Sequence, residues 1–177
     1  EMKKFFIQDV KEGSLQAGYL FIIVNVIWLV GGIAELDYGN FERVLQLFWS
    51  FSIVGIILGL KDLHGDVIPE DWRQGYTMMA AAVFVASLLG VNEDLNTAGV
   101  WAIFGFAIVG LGVTSEGVID SIWRYAAIIA GLFMTVGAGS EFITGNDLFA
   151  DSPLQIVFFL TFIAGLGVGP VLAWRKK

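Results

Sequence analysis

Six apolar segments alternate with short polar stretches along the chain. They cover 17–34, 44–60, 76–91, 98–113, 125–139 and 154–171. A helix rises about 1.5 Å per residue, so crossing a bilayer core about 30 Å thick takes about 20 residues, and at least about 17. Several segments are a little shorter, and flanking Trp, Tyr and Arg residues would supply the missing depth. The pattern predicts an all-α integral membrane protein with six transmembrane helices.

The composition agrees with this fold class. Apolar residues make up 56% of the chain, charged residues make up 15%, and the mean hydropathy is +0.75. A soluble domain usually carries about 25% charged residues. The chain has no cysteine, which excludes disulfides, a thiolate nucleophile and a cysteine metal site.

The distribution of basic residues predicts the orientation in the membrane. The stretches on the N-terminal side of the bilayer contain every Lys and Arg except Arg43. Because basic residues accumulate on the cytoplasmic side, both termini are predicted to be cytoplasmic, in the plasma membrane. Acids and bases balance on that side, so the formal net charge of −7 belongs to the outer side. The cytoplasmic stretches are 1–16, 61–75, 114–124 and 172–177.

A Trp-Arg dipeptide recurs three times at a constant spacing on the cytoplasmic side. Indole rings favour the headgroup level of a bilayer, and arginine side chains extend to the lipid phosphates. The six residues are therefore predicted to be inner-interface anchors. They are Trp72, Arg73, Trp123, Arg124, Trp174 and Arg175.

A second periodic feature lies in the even-numbered spans, where Ile53, Ile108 and Ile163 recur at equal spacing. Two periodic signals of similar length indicate internal repeats, which we interpret as three helical hairpins within one membrane domain. Residues 1–16 would precede them as a cytoplasmic segment that can fold as an amphipathic helix. The predicted repeats are 17–73, 74–124 and 125–177.

Glycines are concentrated in the same even-numbered spans. Lipid tails are as apolar as the helix surface, so small residues stabilise helix pairs by letting the backbones approach closely. We predict that the even spans form a tightly packed inner set or contact a second copy of the chain. Pro170 removes a backbone donor and is expected to kink the last span. The predicted packing glycines are Gly55, Gly59, Gly110, Gly112, Gly165, Gly167 and Gly169.

Acidic residues dominate the outer loops. Glu35, Glu93 and Glu141 follow the three odd spans in matching places, where the negative end of a helix dipole disfavours a carboxylate. If the hairpins surround a pseudo-threefold axis, these glutamates form a ring at an outer mouth that concentrates cations. Alternatively, the acidic loops reflect only the exclusion of bases from the outer side.

Few polar residues lie within the spans, and none near their centres is charged. Ion-coupled carriers usually hold charged groups at mid-depth, so a proton-coupled transporter is disfavoured. Asn25 stands alone near the middle of the first span and must find a hydrogen-bond partner. The candidate pore-lining or interhelical polar residues are Asn25, Ser50, Ser52, Ser87 and Thr135.

The chain lacks the residues of common active sites. His64 is the only histidine, so neither a bis-histidine haem site nor a typical zinc site can form. Its acidic neighbourhood, LHGDVIPED, is expected to be a solvated loop. The sequence shows no Ser/His pairing, no phosphate-binding glycine loop and no basic patch for nucleic acid. We therefore expect no enzyme activity, no cofactor, no metal and no nucleic-acid partner.

Two hypotheses on function remain, and both place the chain in the lipid bilayer. The first is an oligomeric passive channel or facilitator for a small solute, with an acidic outer mouth. It predicts a continuous polar path from the three glutamates to Asn25 and the serines. The second is a non-catalytic structural or accessory subunit of a membrane complex, associated with copies of itself or with another membrane protein. It predicts that Asn25 bonds between helices and that no path exists.

Overall fold

The computed structural model describes residues 10–65, 69–89, 97–149 and 152–176, which are almost entirely helical and contain no strand. The last helix is continuous but changes its winding in the middle, where a π segment replaces the α-helix. The all-helical prediction is confirmed. The elements are α1 Val10–Ile33, α2 Asn40–His64, α3 Glu70–Leu89, α4 Ala98–Thr114, α5 Ser121–Thr144, α6 Leu154–Phe162, the π segment Ile163–Val168 and α7 Gly169–Lys176.

Four helical stretches are long and apolar enough to cross a membrane. They exceed the apolar segments of the sequence because each helix continues through polar residues at its ends. The apolar helix α4 is shorter, with 17 residues, and α3 begins with Glu70, Asp71 and Arg73. The four long stretches are Glu12–Ile33, Asn40–His64, Ser121–Thr144 and Leu154–Lys176.

The bundle has two chemically different ends. The basic end is where α2, α4 and α7 finish, since Leu63, Val118 and Ala173 line one cleft there. The acidic end is where α1 and α5 finish and where α2, α4 and α6 begin. The described charged residues of the acidic end are Glu35, Asp37, Glu42, Arg43, Glu141 and Asp147.

Helix packing joins odd to even helices. The most extensive contact is between α4 and α5, followed by the contacts of α1 with α2 and of α2 with α3. A Cβ on Gly105 would lie 2.6 Å from Thr135 N, and a Cβ on Gly131 would lie 2.6 Å from Gly105 O. Glycine on both helices therefore lets their backbones touch. The described parts of α2 and α4 meet through side chains, with the Trp49 and Trp101 rings 5.4 Å apart, rather than through closely packed backbones. That the even helices form a tightly packed inner set or contact a second copy stays a prediction.

The predicted packing glycines do not share one role. Those of α2 and the last helix lie against neighbours: Gly59 against Ser14 and Gly165 against the backbone of Ala127. Gly55 lies against Ala17, Gly167 against Ile22 and Gly169 against Trp123. On α4, a Cβ at Gly112 would lie 2.6 Å from Ile128 Cγ1, but a Cβ at Gly110 would meet nothing within 4 Å. Gly110 therefore faces outward and packs no neighbouring helix among the described residues, so for Gly110 only the predicted contact with a second copy stays open.

Pro170 is accommodated by a change of winding. Gly169 N–H donates to Ala164 O, five residues earlier, in the π segment just before the proline. Widening a helix in this way accommodates a residue that cannot continue the regular ladder. Pro170 itself is buried. The irregularity predicted near Pro170 is thus a π segment, Ile163–Val168, that ends directly before α7.

Candidate functional site

The candidate polar residues inside the bundle bond within their own helices. Each of four hydroxyls donates to a carbonyl three or four residues earlier, at 2.6 to 2.8 Å. Hydroxyl groups satisfied in this way need no water and no partner helix. The four residues are Ser50, Ser52, Ser87 and Thr135.

Asn25 is completely buried and only partly satisfied. Its Nδ2 donates to Phe21 O, in the same helix, at 2.7 Å. Its Oδ1 has no hydrogen-bond partner among the described residues. The expectation that Asn25 bonds a neighbouring helix is therefore wrong for its amide N–H. A buried acceptor without a partner costs about 1–3 kcal/mol.

An aromatic cluster joins Phe21 and Trp28, which lie one turn before and one turn after Asn25 in α1, to other helices, and the sequence reasoning missed it. The Trp49 ring lies 6.0 Å from that of Trp28, 5.4 Å from that of Trp101 and 6.3 Å from that of Phe162, between ring centroids. Trp49 Nε1 is buried and has no hydrogen-bond partner among the described residues. Three tryptophans outside the Trp-Arg pairs were the available signal. The cluster comprises Phe21, Trp28, Trp49, Trp101, Phe104, Phe158 and Phe162.

The predicted acidic ring is only partly visible. Glu35 and Glu141 are exposed at the acidic end, whereas Glu93 lies outside the described residues. Glu35 adopts a positive φ of 51° just after α1, a conformation that favours glycine. Glu141 lies in the last turn of α5 rather than beyond it, and its carbonyl accepts the Gly145 N–H at 2.8 Å. The ring stays a prediction.

The Trp-Arg pairs serve different purposes. Trp174 is only 2% exposed, and its Nε1 donates to Gly59 O at 3.3 Å. Arg124 donates from Nε to Gly112 O at 2.9 Å and from Nη2 to Val113 O at 3.2 Å. The anchor prediction is therefore wrong for Trp174, which joins α7 to α2, and Arg124 caps the last carbonyls of α4.

For the other residues of the Trp-Arg pairs, the structure does not distinguish a position at the lipid headgroups from a position in water. Arg73 pairs with Glu70, Trp123 is half-buried against Gly169, and Arg175 is exposed. The side chain of Trp72 lies outside the described part of the structure. An anchor role for these residues stays a prediction.

His64 is the clearest departure from the sequence interpretation. It ends α2, is 1% exposed, and stacks on Tyr76 with ring centroids 5.6 Å apart. Its Nδ1 lies 2.7 Å from Leu60 O and its Nε2 lies 3.1 Å from Ser115 Oγ. The expectation of a solvated loop is wrong for His64, which links α2 to α3 and to the start of the α4–α5 connection.

An open cleft of about 1080 Å³ adjoins His64 at the basic end. Lys176 Nζ pairs with Asp120 Oδ2 at 2.8 Å, and Arg124 Nη2 lies 3.7 Å from Glu116 Oε2. Opposite charges in the cleft thus already pair with each other, and the exposed Lys176–Asp120 pair contributes little to stability. Within the described residues, no group of three or more His, Asp or Glu side chains is placed to hold a metal ion.

Comparisons with protein-family models, with curated proteins and with solved structures returned no match to this chain.

Proposed function

We propose that the chain is an integral membrane protein with six spanning helices and cytoplasmic termini, and that it serves as a non-catalytic structural or accessory subunit. The single observation that carries this proposal is the filled interior. Aromatic rings occupy the space between α1, α2, α4 and α6, and the intramembrane hydroxyls are bonded to their own helices.

The outward surface supports residence in a bilayer. Ile143 is 82% exposed, and Met78, Ile103 and Phe106 are each more than 70% exposed. Soluble monomers rarely expose contiguous apolar patches of more than a few hundred Å². Lipid would cover these side chains without the cost that water imposes.

The bases at the basic end support cytoplasmic termini. Arg73, Arg124, Arg175 and Lys176 all belong to that end, and such bias sets the orientation of membrane proteins. The three-hairpin repeat stays part of the proposal, supported by the burial of Ile53, Ile108 and Ile163 in three different helices.

The outward face of α4 is the surface that we propose for self-association. Gly110 leaves a notch between the exposed side chains of Phe106 and Val113. The chain already pairs α4 with α5 through the facing glycines Gly105 and Gly131. A second copy would bring an identical notch, so α4 helices of two copies can approach in the same way.

Flux into liposomes holding the purified full chain tests the proposal. We expect liposomes that remain tight to monovalent cations, urea and glycerol, with a pore-forming peptide as the positive control. Flux that falls when Glu35, Glu93 and Glu141 are all changed to Gln would overturn it. Intrinsic tryptophan fluorescence, which reports the packed cluster, confirms that the reconstituted protein is folded.

Self-association is measured separately with single-cysteine variants, since the chain has no cysteine. We expect Phe106→Cys to form disulfide-linked dimers in membranes and Leu132→Cys, on the exposed face of α5, to form few. Equal cross-linking at both positions would contradict an α4 interface. Cross-links only to other proteins would mean that the outward face of α4 contacts a different protein instead of a second copy of this chain.

A passive channel is the second candidate, favoured by the unpaired Oδ1 of Asn25. Buried polar atoms without partners are uncommon and sometimes mark functional positions. This candidate requires that the aromatic cluster move aside. The liposome experiment distinguishes it from the structural role.

A further inference from the structure

A groove of about 460 Å³ opens at the acidic end between α5 and α6, beside Asp147 and Phe149. We call it the aromatic–acidic groove. Its walls combine five aromatic rings with one carboxylate and one amide, those of Asp147 and Gln155. The aromatic residues are Trp101, Phe133, Phe149, Phe158 and Phe159.

The described residues 145–149 that follow α5 are folded back onto it by their own hydrogen bonds. Leu148 N–H donates to Ser140 Oγ at 2.9 Å, and Ser140 Oγ is 2.7 Å from Gly137 O, to which it donates. Asp147 Oδ1 accepts the Phe149 N–H at 2.8 Å. These bonds fix the carboxylate and the Phe149 ring relative to the helix.

Gly137 makes the room for both groups. A Cβ there would lie 3.0 Å from Asp147 Oδ1 and 3.1 Å from Phe149 Cδ2. The Phe149 ring also meets Phe133 edge-on, with centroids 5.0 Å apart. The carboxylate is thereby held half-buried beside aromatic faces rather than directed into open solvent.

The charge at this groove is uncompensated among the described residues. No basic side chain there lies within ion-pair distance of Asp147, and Glu141 lies one turn beyond Gly137 on α5. A single carboxylate among rings does not supply the several oxygen ligands that Mg²⁺ or Ca²⁺ requires. Aromatic faces and one negative charge instead attract a large, weakly hydrated cation.

We propose that the aromatic–acidic groove binds an organic cation of the quaternary ammonium class, with its alkyl groups against the rings and its charge near Asp147. Its volume is in the range of small-molecule sites, about 300–1,000 Å³. The negative outer loops would raise the local concentration of such cations. This binding is independent of the proposed structural role and goes beyond it.

Equilibrium dialysis of radiolabelled benzyltrimethylammonium tests the proposal on the full chain in dodecyl maltoside, an uncharged detergent without ammonium groups. We expect saturable binding at one site per chain. Unlabelled tetraethylammonium should displace the probe, whereas uncharged benzyl alcohol should compete at least about tenfold less well. Binding that does not saturate, or equal competition by the alcohol, would overturn the proposal.

Asp147→Asn is the decisive variant because asparagine keeps an oxygen for the Phe149 N–H while losing the charge. We expect its affinity to fall about tenfold. Asp37→Asn is the matched control, since Asp37 Oδ1 accepts the Gly39 N–H at 2.8 Å in the same kind of turn. Equal losses of cation affinity in the two variants would mean that surface charge causes the effect, and this result would overturn the proposed site.

Phe133→Leu keeps the apolar volume but removes a ring, and it tests the site if Asp147→Asn fails to fold. We expect it to weaken the cation at least about threefold and to leave benzyl alcohol unchanged. Adding phosphatidylcholine then distinguishes two sources of the same chemistry. Displacement of the probe indicates a lipid headgroup, and retention indicates a soluble cation. Unaltered cation affinity in Phe133→Leu contradicts the aromatic contribution.

Discussion

Two glycines on α4 show how far the role of a single residue depends on the face it occupies. A Cβ at Gly112 would meet Ile128 and the Arg124 carbonyl, whereas one at Gly110 would meet nothing. We expect Gly112→Ala to lower the free energy of unfolding by about 1–3 kcal/mol through overpacking. In a monomeric preparation, where no second α4 fills the Gly110 notch, Gly110→Ala should leave it unchanged or raise it slightly, because alanine is the better helix former. Unfolding by sodium dodecyl sulfate in maltoside micelles, followed by circular dichroism, measures both. Equal losses would contradict the packing of α4 on α5.

Glu35 gives a second prediction at the residue scale. Glu35, which follows α1, has a φ of 51°, and Gly145, which follows α5, has a φ of 76°. Both residues are in the left-handed region, but only Glu35 carries a side chain there. We expect Glu35→Gly to raise the free energy of unfolding by about 1 kcal/mol, since the left-handed conformation costs L-residues about 1–2 kcal/mol. Glu35→Ala is the control, because it removes the carboxylate but keeps the strained conformation. A similar gain in both variants would assign the effect to charge instead of backbone.

Substitutions at Asn25 test whether a polar ligand binds at the centre of the bundle. Leucine has the same branched arrangement of heavy atoms and would remove the buried Oδ1 that lacks a partner among the described residues. We expect Asn25→Leu to raise the free energy of unfolding by about 1 kcal/mol, whereas Asn25→Ala should lower it by leaving a cavity. The same detergent titration measures both. A loss of 1 kcal/mol or more in Asn25→Leu would mean that Oδ1 binds a partner, which would favour the channel candidate.

At the scale of the helices, hydropathy predicted where they lie but not where they end. The apolar segment 125–139 is much shorter than α5, which covers Ser121–Thr144. The helix includes polar residues such as Ser121 and Glu141 at its ends, because helical backbone hydrogen bonds form there as well. The equal spacing of Ile53, Ile108 and Ile163 predicted a repeat, and the structure shows that all three are buried. Periodicity could not separate Gly110 from Gly112, because which face meets a neighbour is decided by tertiary packing.

The same reason explains the missed sites. Trp28, Trp49 and Trp101 come from three helices without a shared spacing, so only the fold brings them together. His64 reads as a loop residue among Asp62, Gly65 and Asp66, yet α2 extends through it and Ser115 meets its ring. Such side chains find partners far away in the sequence.

Arg124 allows a prediction about how α4 ends. Its guanidinium bonds two carbonyls at the end of α4, and bonds from a charged donor contribute about 1.5–3 kcal/mol each at most. We expect Arg124→Met to lower the free energy of unfolding by about 1–3 kcal/mol and Arg175→Met, at an exposed position, to change it by less than about 0.5 kcal/mol. Detergent titration of the two variants distinguishes a helix cap from a lipid anchor. Equivalent effects would restore an anchor role for both arginines.

At the scale of the whole molecule, the separation of charge makes the orientation testable. Within the described residues, Asp37 belongs to the acidic end, and Glu116, whose side chain is 83% exposed, belongs to the basic end. A chain that spans the bilayer must present these two positions on opposite sides. Because the protein has no cysteine, Asp37→Cys and Glu116→Cys each provide a unique label site, with the unmodified protein as the background.

A membrane-impermeant maleimide applied to intact cells should label Asp37→Cys and leave Glu116→Cys unlabelled, and inverted membrane vesicles should give the opposite result. The physical reason is that basic residues remain on the cytoplasmic side and that moving the charged loops through the hydrocarbon core is strongly unfavourable. The reverse pattern would keep the spanning fold but invert its orientation, which would place the aromatic–acidic groove in the cytoplasm. Labelling of both positions from one side would contradict a spanning arrangement of α2, α3 and α4. The three results therefore separate the orientation from the fold on which the structural and cation-binding proposals both depend.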